Sequence, residues 1–383
     1  MIQKKTIQFI VISAALLSVT LAVNIQVPLY TYYAGLEGRD LGSTAVMFSM
    51  YVAGLMPTLV FLGDVSNRIG RKATLMAALA SALTATLIVY YSPTIETLML
   101  ARLLQGIGVG LGVGTVAAYL KDISITSKSA SLAITLSTSI GFGGGALLTS
   151  TTLALWPESE VLSYRLYLMV AGAIILVAAM YAPVIKAKGG SALRLPVFVG
   201  GDLLPHLSIA LAWMVSGLLI AIVPSQLQIH GQERWVGPAL FLVNMVGVLA
   251  QPLAGRIGSH RSMLIGHILI PTGLALLLYG SHSGNVLILL IGSALAGSAC
   301  YGFTYLGGMS RVVQDAQDNQ ARAVSGFMVF AYIGFALPSL LLGQLSSYIG
   351  ISKTLVVALV FVISGSLFMA LQQYRREYAV MAR

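Results

Sequence analysis

The sequence predicts an all-α membrane protein, with twelve transmembrane helices in two pseudo-symmetric six-helix bundles. Composition, the number of long apolar runs and the repetition of short motifs all lead to this prediction. The chain is 57% hydrophobic and only 9% charged, whereas a soluble domain carries about a quarter charged residues. Because this number of charged residues is too small to cover a surface that faces water, we expect most of the surface to face lipid.

The sequence contains twelve apolar segments in succession. The length of each is close to the roughly 20 residues with which a helix crosses a bilayer. They are 7–31, 43–62, 73–91, 96–119, 130–154, 163–185, 205–227, 236–253, 262–280, 286–309, 323–345 and 352–372. The first follows Lys4 and Lys5 and continues to about Tyr30. Because this run is long enough to span, we expect an uncleaved first helix rather than a signal peptide.

The longest hydrophilic connection inside the chain runs from Lys186 to Pro196 and contains two adjacent glycines. It predicts a first six-helix bundle at 1–188, a linker on the cytoplasmic side at 189–204, and a second six-helix bundle at 205–383.

Three pairs of short motifs recur in the same order, at offsets of 196, 193 and 188 positions. They are Val27-Pro28 with Val223-Pro224, Ile140-Gly141-Phe142 with Ile333-Gly334-Phe335, and Arg68-Ile69-Gly70 with Arg256-Ile257-Gly258. An internal echo at nearly one spacing indicates two structurally related halves.

The positions of lysine and arginine predict the orientation in the membrane. With both termini in the cytoplasm, 17 of these residues fall on the cytoplasmic side, and only Arg39, Arg165, Arg234 and Lys353 fall on the other. Positive charge concentrates in cytoplasmic loops of membrane proteins. The formal charge of +10 therefore reflects membrane topology, and we expect no nucleic-acid partner.

The loop between the second and third segments has the pattern Gly-x-x-x-(Asp/Asn)-Arg-x-Gly-Arg-Lys. It contains Gly63, Asp64, Asn67, Arg68, Gly70, Arg71 and Lys72. Glycine permits a tight turn there, and the cations favour helix C-terminal carbonyls and lipid phosphates. The pattern resembles the signature between the second and third helices of the major facilitator superfamily of secondary transporters.

That resemblance implies the major facilitator fold and transport by alternating access. It also implies a conformational-switch role for the loop, with Arg256 and Gly258 as the echo in the second half. Asn67 stands where the family pattern has an acid; it can hydrogen-bond but carries no charge. Asp64 is the neighbouring candidate to replace that charge.

Arg102 lies about two turns inside the fourth segment. An arginine within a span normally faces a polar cavity or a partner, although it can also snorkel outward or brace a neighbouring helix. With Gln105 it forms Arg-x-x-Gln-Gly, which resembles the fourth-helix motif of the drug:proton antiporter branch. The resemblance implies a part for Arg102 in proton coupling.

Glycines in the fourth and fifth segments predict close helix packing. The candidates are Gly106, Gly110, Gly141 and Gly145. The spacing of the fourth-segment glycines does not fit a dinucleotide-binding fingerprint. The fifth-segment run from Gly141 resembles a second antiporter motif, in which Phe142 replaces a proline and Ala146 a glycine.

Polar and aromatic residues inside the segments are candidates for the lining of a substrate cavity. They are Asn24, Gln26, Tyr30, Tyr51 and Gln105 in the first half, and Trp213, Gln226, Asn244, Tyr301, Tyr305 and Tyr332 in the second. Rings with a few polar groups suit an amphipathic organic ligand, although each ring alone also fits packing or an interfacial belt. One buried cation without a buried anion favours anionic or neutral cargo.

Every acidic residue falls in a loop or at the end of a segment, although proton carriers are commonly buried carboxylates or histidines. Glu96, Asp64 and His267 are the remaining candidates for a proton carrier. Cys300 is the single cysteine, which excludes an internal disulfide and a cysteine-built metal site. Since no catalytic motif or phosphate loop is present, we expect neither enzymatic activity nor a cofactor or metal.

We therefore expect a bacterial inner-membrane efflux protein of the antiporter type that exports a small amphipathic compound, either a drug, as in multidrug resistance, or an endogenous metabolite. Its expected partners are that substrate, the lipid bilayer and protons, and we expect a monomer. The alternative is import of an organic anion or siderophore by the same fold. A third hypothesis is a non-transporting membrane sensor or lipid scrambling protein.

Overall fold

The structure is a computed structural model that describes residues 2–39, 41–123, 126–185, 187, 189, 195–198 and 202–381. Within these ranges every regular element of secondary structure is a helix. The first half contains α1 (Ile2–Asn24), α2 (Tyr30–Leu36), α3 (Leu41–Phe61), α4 (Val65–Ile69), α5 (Arg71–Tyr91), α6 (Ile95–Ile123), α7 (Ser127–Leu155) and α8 (Leu162–Tyr181). The second half contains α9 (Leu204–Ala221), α10 (Val223–Ile229), α11 (Val236–Ile257), α12 (Ser259–Ser283), α13 (Val286–Gly297), α14 (Thr304–Asp315), α15 (Gln320–Ile349) and α16 (Ile351–Met381).

These helices form 12 spans that are long and apolar enough to cross a membrane. The prediction of an all-α membrane protein with twelve transmembrane helices is confirmed. Most helices continue several residues beyond the predicted apolar segments; the first span, for example, covers Gln3–Leu36 rather than 7–31. The difference arises because helical hydrogen bonds continue into polar ends that hydropathy does not count.

The first and seventh spans are broken at matched positions. α1 ends at Asn24, and a 3-10 turn that contains Pro28 leads into α2. α9 ends at Ala221, and Pro224 lies in the first turn of α10. Proline has no N–H to donate and its ring clashes with the carbonyl four residues earlier, so the repeated Val-Pro motif interrupts both helices.

The chain forms two compact units. The first unit comprises Met1–Arg39 and Met47–Leu195, and the second comprises Asp40–Val46 and Pro196–Arg383. In the first unit α1 packs against α6, α7 and α8, and in the second α9 packs against α14 and α15. The change of unit after Leu195 falls within the predicted linker 189–204, of which 190–194 and 199–201 lie outside the described residues.

Four glycines stand where two helices of the first unit meet. A Cβ added to Gly145 would lie 2.1 Å from the carbonyl oxygen of Leu21, and one on Gly141 would lie 1.9 Å from Oγ1 of Thr20. On α6, a Cβ at Gly106 would lie 2.0 Å from the carbonyl oxygen of Tyr51, and one at Gly110 2.7 Å from the side chain of Thr58. Real atoms do not approach so closely, so α7 meets α1, and α6 meets α3, with no room for larger side chains.

Candidate functional site

Arg102 is the centre of a buried polar cluster in the first unit. It lies on α6, seven positions after Ile95, and 0% of the residue is exposed. Nη1 donates a hydrogen bond of 2.5 Å to the carbonyl oxygen of Val23, and it lies 3.5 Å from Oε1 of Gln105. The charged group therefore sits beside the broken end of α1 rather than at the surface.

Three aromatic rings surround the guanidinium. Cζ of Arg102 lies 4.9 Å from the ring centroid of Tyr51, 5.8 Å from that of Phe48 and 6.0 Å from that of Tyr30. At such distances the ring faces attract a cation. The rings thus supply part of the stabilisation that water would give an exposed arginine.

The remaining nitrogens of Arg102 are not hydrogen-bonded. Nε and Nη2 have no hydrogen-bond partner among the described residues. Among the described residues no aspartate or glutamate is buried. The buried basic side chains there are those of Arg71, Arg102, His206 and His267. The structure therefore shows a cation in the span with no carboxylate paired to it.

The side-chain amides of Gln26 and Gln105 bind each other. Nε2 of Gln26 donates to Oε1 of Gln105 over 2.8 Å, and Nε2 of Gln105 lies 3.2 Å from Oε1 of Gln26. Gln105 also donates to the carbonyl oxygen of Ala22 over 2.9 Å. The carbonyls at a helix end lack intrahelical partners, so these amides satisfy the end of α1 and tie it to α6.

Side chains on both sides of the interface between α1 and α7 bind backbone carbonyls. Nδ2 of Asn24 donates to the carbonyl oxygen of Phe142 over 2.8 Å, and Oγ1 of Thr149 donates to that of Ile25 over 2.5 Å. The break in α1 is therefore held from α6 and from α7 together. Phe48 and Thr149 could not be identified from the sequence, because a ring in an apolar run and a hydroxyl that binds a backbone atom form no motif.

The second unit contains an aromatic cluster, defined as Trp213, Tyr301, Tyr332 and Phe335. The ring centroid of Trp213 lies 5.1 Å from that of Tyr332, 5.4 Å from that of Tyr301 and 6.1 Å from that of Phe335. Aromatic pairs at these separations attract each other in tilted or edge-on arrangements. Three predicted cavity residues thus come together here, and Phe335 joins them.

Hydrogen bonds fix two members of the aromatic cluster. Nε1 of Trp213 donates to the carbonyl oxygen of Cys300 over 3.2 Å, and the hydroxyls of Ser216 and Tyr301 lie 2.9 Å apart. Cys300 and Tyr301 lie on the tenth span, Val286–Asp315, and both belong to its π-helical segment Ser298–Phe303. Such segments are rare and frequently occur at functional sites.

Three other predicted cavity residues of the second unit lie outside the aromatic cluster. Oε1 of Gln226 lies 3.4 Å from Nδ1 of His282. Asn244 donates to a backbone carbonyl four residues earlier in its own helix, and the ring of Tyr305 packs 6.2 Å from that of Phe327. Contacts of these kinds are also found where helices simply pack together.

The loop before α5, predicted from its sequence pattern to be a conformational switch, is organised by Arg71. Its Nε lies 3.2 Å from Oδ2 of Asp122 on α6, and its Nη1 donates to Oγ of Ser66 over 2.7 Å. Asp64, the candidate for the missing acid of the family pattern, accepts a hydrogen bond of 3.3 Å from Nδ2 of Asn67. The sequence did not single out Asp122, because it lies 51 positions from its partner.

The turns before α5 and α12 share one backbone conformation. Gly70 has φ 95° and ψ 148°, and Gly258 has φ 82° and ψ 161°. Only glycine adopts this region without strain. Arg68 and Arg256 lie in the last turns of α4 and α11, just before these glycines, so the echo in the sequence corresponds to the same turn in both halves.

An open cavity of about 550 Å³ adjoins the loop in the first unit. Gly63 and Lys121 belong to its lining, together with the loop residues that surround Arg71. Lys72 points elsewhere, and its Nζ donates to the carbonyl oxygen of Ala179 on α8 over 2.6 Å.

The candidate proton carriers differ in burial. Glu96 is exposed and lies 3.6 Å from Nη2 of Arg39. His267 is buried, with Nε2 3.4 Å from Oγ of Ser208. His206, which the sequence did not single out, is also buried. Across the described residues no group of three or more metal-ligating side chains is placed to hold a metal ion.

Comparison with known families and structures relates the whole chain to transporters. The family model described as Major Facilitator Superfamily matches residues 9–338. The solved nucleoside transporter NupG (D323A mutant) is 16% identical, with a TM-score of 0.74 over 97% of this chain and 99% of that chain. A bacterial homolog to the human lysosomal transporter Spinster, in an inward-facing and occupied conformation, is 14% identical, with a TM-score of 0.71 over 96% of each chain.

Similarity to curated sequences is confined to short stretches. Multidrug resistance protein MdtL of Shewanella oneidensis is 40% identical over 79 residues, which is 20% of each chain. Monosaccharide-sensing protein 3 of Arabidopsis thaliana is 30% identical over 77 residues, or 20% of this chain and 11% of that protein. The match thus spans a fifth or less of the length of each of these relatives.

Proposed function

The chain belongs to the major facilitator superfamily and is a multi-pass membrane transporter rather than an enzyme, and from this premise we propose that it exports a small amphipathic organic compound by alternating access. The observation that carries transport of such a compound is Arg102, a buried cation among aromatic rings, whose Nε and Nη2 have no hydrogen-bond partner among the described residues. Buried charges within spans commonly mark a substrate or ion pathway. The similarity to MdtL over 79 residues supports export as the direction.

The cargo in this proposal is neutral or anionic, and is either a drug or an endogenous metabolite. A site with a positive charge and no buried carboxylate among the described residues repels organic cations and attracts anions. The aromatic cluster around Trp213 offers flat apolar surface in the second unit, which suits the apolar part of such a molecule.

We also propose that transport is coupled to protons, in the bacterial inner membrane, by a monomer with both termini in the cytoplasm. The distribution of lysine and arginine supports the orientation, and buried His267 is the candidate proton carrier. In energised inside-out vesicles, adding the cargo is expected to discharge part of the pH gradient. A pH gradient that does not change when a transported cargo is added would exclude proton antiport.

The proposal is tested by an untargeted comparison of small molecules in cells and medium, with and without the gene. Export predicts a compound that accumulates inside the deletion strain and falls in the medium, because its exit route has been removed. Restoring the gene should reverse both changes. An unchanged set of compounds, under conditions in which the protein is present in the wild-type membrane, would contradict export.

The second candidate function is import of an organic anion or siderophore. The buried charge of Arg102 favours import as much as export, since the charge selects the cargo and not the direction. A compound that the deletion strain leaves in the medium, while its level inside the cells falls, would establish import instead.

A further inference from the structure

Arg102 presents one edge of its guanidinium group without a partner. Nη1, on the other side, donates to the carbonyl oxygen of Val23. The nitrogens without a hydrogen-bond partner among the described residues are Nε and Nη2, which lie side by side and point their N–H groups in parallel. Such an edge matches the two oxygens of a carboxylate, which it binds through two parallel hydrogen bonds.

The surroundings of Arg102 supply no anion for this edge. The amides of Gln26 and Gln105 bind each other and a backbone carbonyl, and the three nearby rings offer their faces to the cation. No aspartate or glutamate is buried anywhere in the described part of the chain. A buried charge without a counter-charge is unfavourable, most of all within a membrane, so an anion that arrives from outside the protein would relieve this imbalance.

We propose that the Nε and Nη2 edge of Arg102 binds a carboxylate group of the transported compound in a bidentate arrangement. This inference rests on the proposed function and adds to it the chemical class of the cargo, which is an organic acid with an apolar body. The rings of Tyr30, Phe48 and Tyr51 lie 4.9–6.0 Å from Cζ of Arg102. They are close enough to contact the carbon atoms next to the carboxylate.

The site is closed in this structure, since 0% of Arg102 is exposed. A carboxylate reaches the free edge only when the side chains around it move. Tyr30 lies on α2, directly after the break in the first span, whereas Tyr51 lies on α3. Binding of the cargo therefore requires the side chains next to the break in the first span to move. Alternating access needs such a link between binding and conformational change.

The competing explanation is that Arg102 only braces the first unit through its rings and the Val23 carbonyl. Arg102→Lys separates the two explanations. Lysine keeps the positive charge and can lie over aromatic rings, but it has no planar pair of donors for a carboxylate. A bracing role predicts equal effects on charged and uncharged ligands, whereas carboxylate binding predicts a loss confined to the acid.

The test is calorimetric titration of the full chain in lipid nanodiscs with 1-naphthoate and with 1-naphthamide, an uncharged compound of nearly the same shape. Empty nanodiscs give the partition background. The wild type is expected to bind naphthoate at least about tenfold more tightly than naphthamide, or about 1.4 kcal/mol. Arg102→Lys and Arg102→Gln should each reduce this preference to about twofold or less.

Arg165→Gln is the matched control, because Arg165 is exposed and also lies beside a tyrosine ring, 5.8 Å from the centroid of Tyr90. It should keep the preference for naphthoate. Equal affinity of the wild type for both compounds, or a preference that survives Arg102→Lys, overturns the inference. Either result leaves export itself standing, since the metabolite comparison measures export independently. If Arg102→Gln fails to fold, the wild type and Arg102→Lys still decide the outcome.

Discussion

At the residue scale, two arginine–carboxylate pairs of the first unit differ in how far water reaches them. The side chains of Arg71 and Asp122 are 9% and 27% exposed, whereas those of Arg39 and Glu96 are 52% and 69% exposed. Ion pairs in water contribute little to stability, because solvent screens both charges. Removal of the carboxylate from a largely buried pair leaves the arginine without its counter-charge.

Asp122→Asn is therefore expected to destabilise the protein by about 1–3 kcal/mol, the cost of a buried polar group that loses its partner. Glu96→Gln is the control and should stay within about 0.5 kcal/mol of the wild type. The measurement is the unfolding midpoint of purified protein in detergent. Equal midpoints for the two variants would show that Asp122 does not hold Arg71 in place.

The part of the site that could be predicted from sequence consists of residues whose type is rare in a span. Arg102 and Gln105 were identifiable because a charge and an amide in an apolar run need a structural or functional reason. Their backbone acceptors were not, since the carbonyl groups of Val23 and Ala22 are ones that any residue carries. Asp122 was missed because it lies 51 positions from Arg71, and no local pattern links two residues so far apart.

At the element scale, the contact between α7 and α1 depends on the order of two adjacent glycines. A Cβ on Gly145 would lie 2.1 Å from the carbonyl oxygen of Leu21, whereas one on Gly144 meets only Ile140, at 4.0 Å. Gly145→Ala should therefore push α7 away from the break in α1. Overpacking of this kind typically destabilises by about 1–3 kcal/mol.

Gly144→Ala is the matched control, with the same chemical change one position earlier. It is expected to keep the wild-type unfolding midpoint, since alanine also favours a helix. The yield of monodisperse protein and its midpoint in detergent measure both variants. Should Gly145→Ala unfold at the same temperature as Gly144→Ala, the two helices would not be packed as closely as the structure has them.

The sequence predicted the membrane-spanning helices better than it predicted the irregular segments within them. Length and hydropathy define a span, and these are properties of the residues themselves. The π-helical segment Ser298–Phe303 has no such signature, because it depends on how the tenth span packs against its neighbours. The break at Pro28 could have been anticipated from the missing N–H of proline, but the hydrogen bond from Thr149 to the carbonyl oxygen of Ile25 could not.

At the scale of the whole molecule, the fold followed from a few global quantities. A chain with 9% charged residues and repeated apolar runs has few architectures open to it, because every backbone polar group in a membrane needs a partner within the protein. Cargo and direction depend instead on a few side chains. Arg102 is fully buried within a span, and no carboxylate is buried among the described residues, so the proposed transport depends on this side chain.

The most direct test of that account is export of the compound that the metabolite comparison identifies, from deletion cells that carry the wild type, Arg102→Gln or Arg165→Gln. The amount of each protein in the membrane is matched, and the initial rate of appearance in the medium is measured. The wild type and Arg165→Gln are expected to export the compound at similar rates. The rate for Arg102→Gln is expected to be lower by at least about tenfold, because the cargo loses its contact with the positive charge. Export by Arg102→Gln at the wild-type rate would show that Arg102 takes no part in transport.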